Sequence, residues 1–206
     1  MAYAPEDSIS IESLVGPMML DVPIPIAVQA VAFAAIEFCE RTLCWSNALS
    51  RSVSTRSMAL TPEDDGLIMD VSGVTWDGMP LTPLTREQAD HIRVHEPTGI
   101  PQGYYRPGPD TLTVSPDPVS PGVLSVTLLL APVRTATTLP RMLYDLYWDA
   151  IESGAKFRLL SQAHRPWGDP GSALFYKQQF EMLVGSFSAC AGKDGTRKPL
   201  RTAPSF

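Results

Sequence analysis

Apolar residues recur at helical spacing in two parts of the chain, one near each end. From Pro25 to Trp45 the apolar side chains leave little polar surface, which is typical of a helix buried on more than one side. After Thr138, apolar residues return at Leu143, Tyr147 and Ile151, with carboxylates on the opposite side. These patterns predict one long N-terminal helix and an amphipathic helix in the last third of the chain.

A proline-containing corner separates the second of these helices from a further one. Pro166 disfavours helical backbone in the residue before it, and Gly168 can adopt a positive φ. Asp169, which a proline follows, is a typical helix start with a capping carboxylate. Apolar residues then recur at spacings of three and four, at Tyr176, Phe180, Leu183, Val184 and Phe187. We therefore predict a C-terminal helical hairpin with Trp167 at its corner.

The segment between these helices follows the two-residue period of strands. Residues 47–60 alternate apolar and polar positions, and the Trp-Asp-Gly sequence at 76–78 is a hairpin signal. Thr85 and Gln88 form a capping-box pattern that opens a single helical turn. Further strands are predicted at 66–71, 103–106, 111–114 and 123–130. The predicted fold class is α+β: a helical framework (one long N-terminal helix plus a C-terminal helical hairpin) with an inserted small antiparallel β-sheet or barrel.

These patterns divide the chain into four segments. They are an N-terminal arm (1–23), a helical domain (24–46 and 138–192), an inserted β-rich domain (47–137) and a C-terminal tail (193–206). In the arm, Met18 and Met19 are apolar and need cover, either from the core or from a neighbouring subunit. Trp167 at the corner of the hairpin is expected to pack back under both helices, with its indole N–H bonded to a partner. If the corner is exposed instead, Trp167 is a further interface candidate.

The tail is basic and too polar to form a core. Its cations include Arg197, Lys198 and Arg201, and its larger apolar residues are Leu200 and Phe206. Two interpretations stay open for this segment. It is either a mobile terminus or an arm that becomes ordered on a partner, with these five residues as contacts.

Composition limits the class of protein. The chain has 206 residues, of which 44% are hydrophobic and 18% are charged, and its net charge is −6 at pH 7. The hydrophobic fraction is ample for a core, and the low charged fraction indicates that partners cover some of the surface. Binding to nucleic-acid phosphates needs clustered Lys and Arg, which the chain lacks. No apolar run is long enough to span a membrane.

The residue types that carry chemistry do not form a known catalytic or cofactor pattern. The three cysteines show neither a disulfide framework nor metal-ligand spacing. His91 and His95 are four residues apart, but no glutamate occupies the metalloprotease position, and we expect extended backbone beyond Ile92. His164 stands alone at the corner. The sequence therefore predicts no catalytic residue, no cofactor and no metal ligand.

Three sets of residues within residues 20–192 follow the order found in a group of tailed-bacteriophage structural proteins. The first helix contributes Pro25, Ala30, Glu37, Phe38, Cys39, Thr42 and Trp45. The next helix contributes Leu139, Pro140, Leu143, Ile151, Gly154 and Ala155. The corner and the last helix contribute Arg158, Leu159, Leu160, Pro166, Trp167, Asp169, Pro170, Ala173, Tyr176 and Phe180. With a β insert between them, this layout resembles the head-to-tail adaptor (connector) proteins of the phage neck.

The resemblance implies a structural virion protein of the phage neck or tail that is assembled in the host cytoplasm. It implies a homo-oligomeric ring, commonly a dodecamer, docked below the portal protein, with a tail nozzle or tail-completion protein beneath it. DNA would pass through the lumen without specific binding, and an acidic chain fits such a lumen because like charges repel. The alternatives are a tail-completion or baseplate-type subunit and, from a different class, a small metal-dependent enzyme that uses the histidines.

Overall fold

Five helices and twelve strands follow one another in the part of the chain that the structure describes. This computed structural model describes residues 8–16, 18, 21–62 and 66–191. The helices are α1 (Ile11–Val15), α2 (Ile24–Thr42), α3 (Arg86–His95), α4 (Arg141–Leu160) and α5 (Pro170–Ala191). The strands are β1 (Ser8–Ser10), β2 (Ser46–Val53), β3 (Ser57–Ala59), β4 (Gly66–Trp76), β5 (Met79–Pro80), β6 (Thr82–Pro83), β7 (Thr98–Gly99), β8 (Gly103–Gly108), β9 (Thr111–Ser115), β10 (Asp117–Pro118), β11 (Gly122–Pro132) and β12 (Thr138–Pro140).

The chain forms two compact units, and the second is an insertion in the sequence of the first. Unit 1 comprises residues 1–44 and 132–206, and unit 2 comprises residues 45–131. Unit 1 contains α1, α2, α4, α5, β1 and β12, whereas α3 and the other strands belong to unit 2, apart from the last residue of β11. The finer predicted division into an arm, a helical domain, a β-rich domain and a tail stays a prediction.

The core of unit 1 is built around α2, which packs against α1, α4 and α5. Many of the buried residues of α2 are alanines, and short side chains let the neighbouring helices approach closely. The approach is tightest at Gly154 of α4, where an added Cβ would lie 3.0 Å from the ring of Phe180 and 3.1 Å from the Cβ of Ala34. Glycine is therefore the residue that fits between the three helices at this point.

Three aromatic rings, one from each of α2, α4 and α5, form a cluster in the same unit. The ring centroids of Phe38 and Tyr147 are 5.2 Å apart, and the ring of Phe187 lies 5.9 Å from Phe38 and 4.9 Å from Tyr147. The two contacts of Phe187 are edge-to-face, an arrangement that stabilises by about 0.5–1.5 kcal/mol beyond simple burial. The cluster thus ties all three long helices of unit 1 together.

The predicted start of α4 at Thr138 is wrong. Residues Thr138–Pro140 form β12, which pairs antiparallel with β1 in the register Ile9 to Leu139. Leu139 is fully buried, and the residue before a proline favours extended backbone, so this segment is a strand and the helix begins at Arg141.

The predicted end of α2 at Trp45 is also wrong. Leu43 adopts the left-handed conformation with φ 51°, and its N–H donates to the carbonyl of Cys39 at 2.8 Å. This cap ends α2 at Thr42.

Unit 2 contains two four-stranded sheets and one two-stranded pair. The sheet orders are β2-β11-β4-β5 and β3-β9-β8-β6, and β10 pairs with β7. β11 supplies the alternating buried residues expected of a central strand: Leu124, Val126, Leu128 and Leu130. The hairpin predicted at 76–78 is confirmed, because Asp77 and Gly78 adopt positive φ values of 47° and 81° between β4 and β5.

The predicted helical framework (one long N-terminal helix plus a C-terminal helical hairpin) with one small antiparallel sheet or barrel is wrong, because the described residues form five helices and four sheets. The α+β class is compatible with the structure. The described strands form four sheets, and one of them, β1 with β12, lies in unit 1 itself. Two pairs, β6 with β8 and β7 with β10, are parallel rather than antiparallel. Most strands missed by the sequence prediction have only two or three residues, which is too short for a two-residue period to show.

Two helix-interior glycines of unit 1 are expected to respond in opposite directions to the same substitution. Gly154→Leu forces a side chain against Phe180 and Ala34, and such overpacking lowers the free energy of unfolding by about 1–3 kcal/mol. Gly185→Leu is the matched control, because an added Cβ there meets none of the described atoms within 4 Å. Leucine favours the helix over glycine by about 0.8 kcal/mol, so this variant gains stability. Urea unfolding measures both, and a Gly154→Leu chain as stable as wild type would contradict the tight packing.

Candidate assembly surfaces

α5 turns one side towards α2 and α4 and the opposite side outwards. The buried residues of its inner side include Ala173, Phe180 and Val184. On the outer side, Leu174, Phe175 and Met182 are 58%, 61% and 66% exposed. Large apolar side chains that are exposed close together mark surfaces that a partner covers.

No charged residue lies on the outer side of α5 between residues 171 and 186. With 3.6 residues per turn, this side, here called the outer face of α5, comprises Gly171, Leu174, Phe175, Gln178, Met182, Gly185 and Ser186. The nearest charged residues lie at its edge and contact other parts of unit 1. The ammonium of Lys177 lies 5.7 Å from the ring centroid of Phe157, and Glu181 pairs with Arg41. An uncharged, apolar strip of this kind is typical of the centre of a protein–protein interface.

Arg41, Glu37, Glu181 and Arg158 form an ion-pair network that connects α2, α4 and α5. The guanidinium of Arg41 donates to both carboxylate oxygens of Glu181, at 3.0 and 2.5 Å, and to Glu37 at 3.3 Å. Arg158 pairs with the same Glu37. The hydrogen bond to Glu181 raises the pKa of Arg41, and the same bond lowers the pKa of the Glu181 carboxyl. Because these side chains are partly exposed, the network orients the helices more than it stabilises them.

The corner before α5 is held by Asp169, as the sequence predicts. The hydroxyl of Ser172 donates to Oδ2 of Asp169 at 2.5 Å, and the N–H groups of Gly171 and Ser172 donate to Oδ1 at 3.0 and 3.3 Å. These hydrogen bonds, that of the Ser172 hydroxyl foremost, lower the pKa of the Asp169 carboxyl. Gly168 does not adopt the predicted positive φ. It is required because a Cβ there would lie 2.3 Å from the carbonyl oxygen of Gln162.

Trp167, the interface candidate at this corner, is half-buried. The guanidinium of Arg165 lies 5.7 Å from the centroid of its indole ring. Its Nε1 atom is buried and hydrogen-bonds to none of the described residues. A role for Trp167 in binding a partner stays a prediction.

The carboxylates of α4 are largely paired within their own helix. Asp145 lies 3.7 Å from Arg141, and Glu152 lies 2.8 Å from Lys156, both one turn apart. Exposed pairs of this spacing contribute only a few tenths of a kcal/mol. Asp145 and Asp149 are exposed, as expected for a solvated helix face.

Of the other predicted contact residues, one is buried and the rest lie outside the described residues. Met18 is buried, at 7% exposure. Met19 and the tail residues lie outside the described residues: Arg197, Lys198, Leu200, Arg201 and Phe206. Their role as contacts stays a prediction.

Two of the cysteines are neighbours at the end of α2. The thiols of Cys39 and Cys44 are free and interact with each other. This interaction, with burial, raises the pKa of Cys39, and it lowers the pKa of Cys44. The side chain of Cys190 lies outside the described residues. Within the described part of the chain, no group of three or more potential metal ligands comes together.

The histidine pair lies on a helix rather than on an extended segment. α3 continues through His95, so the expectation of extended backbone beyond Ile92 is wrong. His91 and His95 are both exposed, and their ring centroids are 4.4 Å apart. His164 is exposed at the corner before α5.

A family model described as SU10 adaptor protein matches residues 7–203 of the chain. The chain belongs to this family. It is a family of phage head-to-tail adaptors, so the resemblance found in the sequence is confirmed. A comparison with curated proteins gave no match.

Membership in this family makes the protein a phage adaptor and a virion component. The family is structural rather than enzymatic, and it suggests interaction with portal and tail proteins of the phage. Among the helices of the described residues, none has both the length and the apolar character needed to cross a membrane.

The outer face of α5 is the part of the adaptor that sequence reasoning missed. The predicted apolar stripe follows Phe180 and Val184, and these residues do face the core. Leu174, Phe175 and Met182 fall off that stripe, on the far side of the same helix. The available signal was a helix with apolar residues on two sides, which indicates burial by a second partner.

The Asp169 cap is expected to stabilise the adaptor in a pH-dependent way. Because the folded state lowers the pKa of this carboxyl, its contribution is complete above the ordinary pKa of aspartate and is lost as the pH falls through the lowered value. Asp169→Ala should therefore lower the melting temperature at neutral pH and differ less from wild type in acid. Asp169→Asn is the matched control, because the amide oxygen caps a helix without titrating. If the difference in melting temperature between Asp169→Ala and wild type did not decrease as the pH is lowered, this role of Asp169 would be contradicted.

Proposed function

We propose that the adaptor forms a ring below the portal that joins the capsid to the tail and lines the DNA exit channel. The observation that carries the proposal is the uncharged outer face of α5, an unpartnered apolar surface on a chain of an adaptor family. A ring of identical subunits needs two different contact surfaces on each subunit, so that every copy binds the next. We propose a dodecamer in which the outer face of α5 is one of these surfaces.

Burial of the outer face of α5 contributes to the driving force for assembly. Leu174, Phe175 and Met182 are each more than half exposed in the single chain. Complete burial of a side chain of this size stabilises by about 1.5–3 kcal/mol. Assembly can gain the share of this free energy that corresponds to the part of each side chain still exposed in the single chain. Gly185, which carries no side chain, lets the backbone of a neighbouring element come close. The rigid bundle of α2, α4 and α5 holds this surface in place before binding, which reduces the entropic cost of association.

The ends of the ring meet different partners in this proposal. The basic tail, with Arg197, Lys198 and Arg201, binds the portal protein, and Leu200 and Phe206 provide apolar contacts. A tail nozzle or tail-completion protein binds the opposite end. DNA passes through the lumen without specific binding, which the net charge of −6 favours because like charges repel.

A single carboxylate on the outer face of α5 is expected to prevent ring formation. Met182→Asp places a charge at the centre of the surface, where burial without a partner is strongly unfavourable. Val119→Asp is the matched control, because Val119 is 76% exposed and belongs to unit 2 rather than to α5. Sedimentation velocity of the adaptor, alone and with portal protein, should show rings for wild type and Val119→Asp but single subunits for Met182→Asp. Rings formed by Met182→Asp would contradict the proposed contact.

Copy number in the virion tests the proposed position independently of the contact surface. Quantitative mass spectrometry of purified particles should find as many adaptor chains as portal chains if the two rings are stacked with equal symmetry. Three- or sixfold order relative to the tail would instead favour a tail-completion or baseplate-type subunit.

A further inference from the structure

α3 is a short helix with a well-defined start and two histidines on its outer side. The hydroxyl of Thr85 accepts a hydrogen bond from the N–H of Gln88 at 3.2 Å, and the Gln88 side chain accepts one from the N–H of Thr85 at 2.9 Å. Ala89 is buried, so its side of α3 faces the rest of unit 2. His91 and His95, one turn apart, therefore point away from the core, and both are exposed.

The two imidazole rings lie side by side with free nitrogen atoms. Their centroids are 4.4 Å apart and their planes are inclined by 47°. Neither ring makes a hydrogen bond or an ion pair with a described residue. Each neutral imidazole can therefore offer one ring nitrogen as an acceptor or as a metal ligand.

We propose that His91 and His95 form a bidentate binding site for a divalent transition-metal ion such as Zn²⁺. Imidazole is a ligand that suits zinc, copper and nickel, and two histidines four residues apart on one helical face are the arrangement that zinc-binding helices use. This site does not depend on the proposed ring, because both ligands come from one copy of the chain.

The site has an open coordination sphere. Among the described residues no third His, Cys, Asp or Glu completes a group of three. Glu87 occupies the same row of α3, but it is two turns from His95, about 12 Å along the helix axis at 1.5 Å per residue. Zinc takes four ligands, so two positions are left for water or for donors from a neighbouring molecule. The ion is thus exchangeable and contributes little to folding.

Calorimetric titration of the full chain with Zn²⁺ alone tests the site. We expect wild type to bind one ion, and His91→Ala and His95→Ala each to bind it more weakly. Loss of a group that merely orients a metal ligand costs roughly 10–100-fold in affinity, so loss of one of two ligands should cost at least about tenfold. All three histidines are exposed, so these substitutions leave the fold intact.

His164→Ala is the matched control, because it removes the third histidine without touching α3. This variant should bind Zn²⁺ as wild type does. Cys44→Ser should also retain the site, which separates it from the thiol pair at the end of α2. Absence of zinc binding by wild type, or equal binding by wild type and His91→Ala, would overturn the proposal.

Discussion

The close approach of α4 to α2 and α5 around Gly154 is the constraint on which unit 1 depends. An added Cβ at this position would lie 3.0 Å from the ring of Phe180 and 3.1 Å from the Cβ of Ala34, so both neighbouring helices approach the α4 backbone here. The helices are then close enough for the aromatic cluster of Phe38, Tyr147 and Phe187 to form on one level of the bundle. On the surface, the same spacing brings the ion-pair network of Arg41 within reach of all three helices.

This packing leaves α5 with two different sides. The inner side packs against α2 and α4, whereas Leu174, Phe175 and Met182 on the outer face are exposed to solvent. The charged neighbours of that face, Lys177 and Glu181, contact other helices of unit 1 and do not interrupt it. Exposure of this apolar face to water is unfavourable in a single chain, and a partner that covers it would remove that cost. Such a face is therefore suited to a protein of an adaptor family.

The sequence predicted the Asp169 cap, the 76–78 hairpin and the adaptor family, because each has a local or distributed signal. It failed where the outcome depends on distant partners. Leu139 lies in a strand because it pairs with Ile9, which is distant in the sequence, and no window around residue 139 contains that information. The outer face of α5 was missed for a related reason. Both sides of this helix carry apolar residues, and only the folded bundle shows which side the other helices leave exposed. The predicted role of the tail stays a prediction.

The insertion of unit 2 within unit 1 has a consequence for the order of folding during synthesis. Arg41 and Glu181 are 140 residues apart in the chain, and Glu37 and Arg158 are 121 apart. Residues 45–131, by contrast, form a continuous segment that emerges complete before α4 exists. Because domains fold as units when their residues become available, unit 2 can fold first, while the surface of α2 that later packs against α4 and α5 is still exposed. Alanines dominate this surface in the folded bundle. Because they expose less apolar area than larger apolar side chains would, they weaken non-specific hydrophobic association of α2 until α4 and α5 have been synthesised.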